Sequence, residues 1–272
     1  TASTSLNDVL NNNSINVIAI ATRHDMHATQ VIASLNAGKN VFVEKPLALT
    51  LDEVTEIEKA YKKNNKSNNI SLMVGYNRRF APHIIKMKEL LNAHPSPKSI
   101  IITVNSGFIP TDHWTQDILV GGGRIIGEGC HFIDLMRHLV GHRIVSYTAT
   151  MMGDTQGTDT REDKVSITLS FSDGSFGTLL YLANGGSSFP KERIEVFCDN
   201  AVLQIDNYRL LSGYGWAGFK KMKLFKQDKG QKACVQAFVN SVADGKDAPI
   251  PFDEIIETTR ISIEVARLLR SQ

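Results

Sequence analysis

In the first third of the chain, short apolar runs alternate with helical stretches. Ile15-Asn16-Val17-Ile18-Ala19-Ile20-Ala21 is a nearly continuous apolar, β-branched run, the pattern of a strand buried on both faces of a parallel sheet. A helical stripe follows from about His27 to Ala37, with Val31, Ile32 and Leu35 on one side and Gly38 placed to end it. Asn40 to Glu44 reads as a second strand. Thr50 stands three residues before Glu53, the spacing of a capping box, and predicts a helix running to a Lys/Asn-rich loop at 62–69. Ile70 to Tyr76 reads as a third strand. Strand–helix–strand–helix–strand with short connections predicts a right-handed parallel βαβαβ unit, half of a doubly wound sheet.

Beyond His94-Pro95-Ser96-Pro97 the period changes. Strand-like stretches cover Ser99–Phe108, Arg143–Met151, Lys164–Phe171, Ser175–Leu182, Arg193–Cys198 and Ala201–Ile205, with turn chemistry at Ser172-Asp173-Gly174 and Asp199-Asn200. One amphipathic helix, about Cys130 to Leu139, interrupts them. Helical patterns at Cys234–Ala243 and Phe252–Leu269 close the chain, expected to pack back on either unit. The expected organisation is two domains, 1–94 and 95–272: an α/β unit with a parallel sheet, then an α+β unit with a large, mostly antiparallel sheet.

Composition narrows the function. At 272 residues the chain can bury a core without staples. Thirty basic against twenty-eight acidic residues give a net charge of +2 with no long basic run, so nucleic acid is not an expected partner. No apolar run reaches the ~18–20 residues that span a bilayer, and the opening residues lack a signal-peptide pattern. The three cysteines, Cys130, Cys198 and Cys234, are widely spaced and form no metal or disulfide frame. A cytoplasmic protein is expected, in which the sequons at Asn12, Asn65 and Asn69 carry no meaning.

Three segments hold candidate chemistry. In Phe42-Val43-Glu44-Lys45-Pro46 a lysine ends a strand where open α/β sheets bind ligands. There its amine can hold the charge that develops as a hydroxyl loses its proton; the bland reading is a lysine lying beside a turn. Gly121-Gly122-Gly123-Arg124-Ile125-Ile126-Gly127-Glu128-Gly129-Cys130-His131 brings several glycines to a helix start, which argues for close backbone approach to a ligand or for special φ values. His131 suits proton transfer. His131, Asp134 and His138 share one helix face, so a metal site is conceivable, but no further ligand completes a recognisable set. Gly213-Tyr214-Gly215-Trp216-Ala217-Gly218 matches the dinucleotide fingerprint, yet an alternating, strand-like Phe219–Lys226 follows it instead of a helix. It reads as a hairpin loop.

Taken in order, Ala21-Thr22 with His27, Glu44-Lys45-Pro46, Gly75-Tyr76-Asn77-Arg78-Arg79-Phe80 and the glycine-rich segment into His131 and Asp134 resemble the glucose–fructose oxidoreductase / inositol dehydrogenase (Gfo/Idh/MocA) family. The likeness spans most of the chain. It implies a Rossmann-type domain, here truncated, followed by a domain whose large, mostly antiparallel sheet builds a homodimer or homotetramer. It also implies hydride transfer between NAD or NADP and a sugar, polyol or nucleotide-sugar hydroxyl or carbonyl. By the family pattern Lys45 touches the reacting hydroxyl and His131 relays the proton. Thr22, His24, His27, Glu44, Lys45, Pro46 and Arg78 fall on the cofactor side. Lys45, Arg78, Trp114, Glu128 and His131 fall on the substrate side. No metal is implied.

The chain departs from the family pattern twice. Where many members carry Asp four residues before the histidine, Gly127 stands here, with Glu128 beside it. The family's first strand, glycine-rich turn and second strand have no counterpart before Ile15. The expectation is therefore a fragment of a longer enzyme or, as the runner-up, a non-catalytic module that binds a sugar or a partner.

Overall fold

The computed structural model describes residues 2–68, 70–153 and 162–272; Asn69, the last of the three sequons, lies outside them. After a short helix α1 (Leu6–Leu10), three parallel strands form a small sheet in the order β1 (Val17–Ile20), β2 (Asn40–Val43), β3 (Leu72–Val74). Helices α2 (His24–Asn36) and α3 (Leu51–Asn68) make the crossovers. The capping box forms as spaced: the Glu53 amide donates to Thr50 Oγ1 at 3.2 Å, and the Thr50 amide to Glu53 Oε2 at 3.0 Å. Two boundaries differ from expectation. α2 starts three residues early, which brings His24 into its first turn. α3 continues through the stretch expected as a loop at 62–69 to Asn68, because Asn64 bonds back to the Ala60 carbonyl and Tyr61 stacks on Phe252 at 3.8 Å.

A 3₁₀ turn (Asn77–Phe80) and helix α4 (Pro82–Asn92), which the apolar pattern did not reveal, lead to the second layer. It is an eight-stranded sheet in the order β11-β10-β9-β8-β4-β7-β6-β5. The strands are β4 (Ser99–Asn105), β5 (Ile144–Met151), β6 (Lys164–Phe171), β7 (Phe176–Leu182), β8 (Glu192–Cys198), β9 (Ala201–Asp206), β10 (Leu210–Tyr214) and β11 (Lys221–Lys223). All neighbours are antiparallel except β4 and β7. The dinucleotide-like glycines fall in the β10–β11 hairpin, as their flanking pattern implied. Alternation puts Val165, Ile167, Leu169, Leu179 and Tyr181 on the inner face, and helix α5 (Cys130–Val140) lies against it. At Gly177 the approach is so close that a Cβ would meet Met136 Sδ at 2.5 Å.

The closing helices tie the layers together. α6 (Gln231–Ala243) packs on β2 and the 3₁₀ turn, and α7 (Phe252–Arg270) on α3, β3, α5 and β5. No helix among the described residues is long and apolar enough to cross a membrane. Phe132 sits at the junction, fully buried, with the Arg78 guanidinium 4.7 Å from its ring centre. Phe132→Ala should therefore cost about 3–5 kcal/mol of stability, read as a lowered denaturation midpoint.

Candidate active site

The carboxyl ends of β1 and β2 carry most of the candidate chemistry. Lys45, two residues beyond β2 and followed by a cis peptide to Pro46, donates from Nζ to the Gly127 carbonyl at 2.8 Å. Gly127 lies in a π-helical turn (Ile125–Gly129) that leads into α5. The glycines ahead of that turn serve the fold itself. Gly122 and Gly123 take φ of +76° and +78°, and a Cβ on Gly121 would lie 2.4 Å from the Thr115 backbone. The C-terminal Arg270 clamps the same loop, donating to the Gly122 carbonyl at 2.7 Å while paired with Glu162.

Lys45 lines a cavity of about 310 Å³ with His24, Ile109, Trp114, Thr115, Arg124 and Glu128. His24 Nδ1 lies 2.8 Å from the Gly121 carbonyl, and its ring meets Trp114 edge-on at 4.8 Å. Burial pushes the His24 imidazole down to about 4 against the opposing pull of that carbonyl, with the Lys45 charge adding to the depression. The ring is thus neutral at pH 7, its proton assigned to Nδ1 by the carbonyl. Glu128 is held from three directions: Lys191 at 2.8 Å on Oε1, and Arg124 at 2.8 Å and the Tyr181 hydroxyl at 2.5 Å on Oε2. Burial alone raises the Glu128 carboxyl, but the Lys191 charge and these hydrogen bonds outweigh it and hold the group at about 2. Glu128 is a fixed anion, too acidic to take a proton near neutrality.

His131 faces a neighbouring cavity of about 300 Å³, with Phe42, Glu44, Asn77, Arg78 and Lys229. Consecutive Glu44 and Lys45 therefore contribute to different cavities. His131 is 5% exposed and its Nδ1 has no hydrogen-bond partner. Burial, and then the charges of Arg78, Lys45, Lys191 and Lys229, drive its pKa well below the usual value, so Lys45 is close enough to be felt there. Arg78 forms a two-pronged bond with buried Glu192 at 2.8 and 2.9 Å, and Lys229 meets the same carboxylate at 2.6 Å.

The remaining sequence candidates are engaged within the fold. His27 is fully buried, with Nδ1 2.7 Å from the Pro46 carbonyl and Nε2 3.1 Å from that of Thr22, so it braces the two loops against each other. The Thr22 hydroxyl bonds Gln30. Asp134 is taken by Arg79 at 2.7 and 2.8 Å, which removes it from the face shared with His131 and His138. Sequence reasoning missed Arg124, Tyr181 and Lys191. The i,i+4 spacing of Arg124 and Glu128 was one available signal, and a tyrosine at an inward strand position was another.

A family model described as the oxidoreductase family with an NAD-binding Rossmann fold (GFO_IDH_MocA) matches residues 1–76, and the GFO/IDH/MocA C-terminal domain matches residues 94–204. The chain belongs to the Gfo/Idh/MocA family. Myo-inositol 2-dehydrogenase from Thermotoga maritima is 25% identical over 74% of the chain and 60% of its own length. The chain spans about three-fifths of the length of the first curated relatives it matches. Among solved structures, an oxidoreductase domain protein from Kribbella flavida superposes with a TM-score of 0.85 at 23% identity, over 98% of this chain and 82% of that one. A levoglucosan dehydrogenase complexed with NADH and levoglucosan gives a TM-score of 0.82 at 20% identity, over 99% of this chain and 82% of that one. These two likenesses concern the fold. In this Gfo/Idh/MocA chain the lysine of the Glu-Lys-Pro motif touches the glycine-rich turn, and the carboxylate on that turn belongs to Glu128.

The neutral imidazoles make stability depend on pH. His24 and His138, held down to about 4 and about 3, bind fewer protons folded than unfolded below the ordinary value of 6.5. Glu128 acts in the same sense between 4.5 and about 2. Stability should accordingly fall as pH drops below about 6.5, and a thermal melting temperature flat from neutral pH to about 5 would contradict the burial of neutral histidines.

Proposed function

We propose that the protein is a nicotinamide-dependent oxidoreductase that moves a hydride between a sugar or polyol carbon and NAD or NADP. The observation that carries this reading is the Lys45 ammonium at the carboxyl edge of a parallel sheet, braced on the glycine-rich turn of the second layer, in a chain of this family. The residues around it fit the nicotinamide end of a dinucleotide: Trp114 and Ile109 give the cavity apolar walls, while Lys45 and Thr115 bring polar groups to it. Bound there, the ring would supply the hydride acceptor or donor.

The chain's own groups handle the oxygen and its proton. Lys45 spends one N–H on Gly127 and keeps two for a substrate oxygen, stabilising the charge that grows as the hydroxyl proton departs. His131, unpartnered at Nδ1 and facing the adjoining cavity, is the group assigned to take that proton. Glu128 holds Arg124 and Lys191 in place and stays ionised throughout. The uncovered face of the large sheet carries Ile101, Phe176 and Phe197, the two phenylalanines flanking Ser99 in register, and this face joins copies of the chain into a dimer or tetramer. The working compartment is the cytoplasm.

Turnover with NAD and NADP over a panel of sugars and polyols tests the reaction. Calorimetry with each dinucleotide separates it from the module reading, under which neither binds. Lys45→Ala and His131→Ala should each lower kcat by orders of magnitude while shifting the melting temperature little. Retained turnover in His131→Ala would move the proton to another acceptor, with His24 the imidazole that shares the Lys45 cavity. In sedimentation, Phe176→Glu with Phe197→Glu should convert the assembly to smaller species; an unchanged profile would clear that face of the role.

A further inference from the structure

The cavity around Lys45 has more hydrogen-bond donors than acceptors. Among the described residues Lys45 forms no ion pair, and its one bond, to the Gly127 carbonyl, leaves two N–H groups. Arg124, whose side chain is 4% exposed, commits Nε and Nη2 to Tyr181 and Glu128. Its Nη1 meets only the Gly107 carbonyl, at 3.5 Å, the outer limit of a hydrogen bond. The indole of Trp114 offers a further donor. On the acceptor side, the one carboxylate, Glu128, is bonded through both oxygens and compensated by two cations, Arg124 and Lys191. The Thr115 hydroxyl donates to His113 Nδ1 and keeps its oxygen lone pairs, so that oxygen and the His24 ring nitrogen are the side-chain acceptors left to set against the open donors of Lys45 and Arg124.

A neutral polyol presents hydroxyls that must both donate and accept, and its donors would find few partners here. A group that only accepts, and carries negative charge, satisfies Lys45 and Arg124 together, and bonds of this charged kind are the strong ones. We infer that the Lys45 cavity takes a sugar acid, its carboxylate received by Arg124 and one open N–H of Lys45, and its reacting hydroxyl by the other. A carboxylate matches this site better than a phosphate. One partly free guanidinium nitrogen and one amine suit a monoanion with two oxygens, whereas a dianion with three would outnumber the donors. This inference names the substrate class for the dehydrogenase reading and rests on it for the chemistry, though the binding preference stands apart from turnover.

Calorimetry on the 272-residue chain, with and without NADH, should compare D-glucuronate, its neutral methyl ester, D-glucose and glucose 6-phosphate. The expected result is a Kd for glucuronate at least about tenfold below those of the ester and glucose, the range expected for a charged hydrogen bond. Arg124→Gln should erase that margin. Because Arg124 also supports Glu128, Lys45→Met provides a second variant, at a half-buried lysine without an ion pair, and it should shrink the margin too. Equal affinities, no binding of the acid in either arm, or a margin that survives both substitutions would overturn the inference. Tighter binding of glucose 6-phosphate would replace the carboxylate with a phosphate. Glucuronate bound but never oxidised would keep the site and remove the dehydrogenase. Neutral polyols turned over as readily as the acid would do the opposite.

Discussion

Consecutive Arg78 and Arg79, on the 3₁₀ turn that ends the parallel sheet, reach in different directions and are each nearly fully buried. Arg78 closes on Glu192 at the start of β8; Arg79 closes on Asp134 of α5 and Glu254 of α7. Removing either partner of such a pair strands a charge where water cannot reach it, at about 3–5 kcal/mol. Between them the two arginines fix the edge of the first sheet against the second sheet and against α5 and α7. The cavities that hold Lys45 and His131 lie where these layers meet, so their shape is inherited from this ionic seam.

A second consequence is electrostatic. Burial first, and then the charges of Arg78, Lys45, Lys191 and Lys229, keep the His131 imidazole neutral where an exposed one would titrate near pH 6.5. Glu192 and Glu128 absorb part of the positive charge and are held ionised in return. The seam that docks the layers thus also bears on charge near the cleft: Arg78 adds to the depression of His131 and holds Glu192 ionised.

The glycine-rich segment shows how one local feature answers to several neighbours. Gly121, with no Cβ, passes tightly by Thr115, the left-handed Gly122 and Gly123 turn the chain, and the π-helical turn that follows presents the Gly127 carbonyl to Lys45. With no side chain at 127, a carboxylate at 128 is turned toward Tyr181 and Lys191 instead. A Cβ at 127 would sit 3.2 Å from the His24 ring, so the histidine in the first turn of α2 and the glycine are matched to each other.

Period and punctuation were enough to read most of the strands and helices of both layers, because a buried strand and a capped helix leave their pattern in neighbouring residues. The capping box at Thr50, the β10–β11 hairpin and the long strands of the second sheet were legible for that reason. α4 was not, and the helical course of 62–68 was not, since contacts with Phe252 and with the preceding turn decide it. The motif order pointed to Lys45 and His131. Which cavity each lines, that His27 is a brace, and that Arg124, Tyr181 and Lys191 gather on Glu128 were decided by tertiary structure alone. Residues separated by 53 and 63 positions along the chain meet there, and local sequence cannot encode a meeting that depends on how two sheets are pressed together.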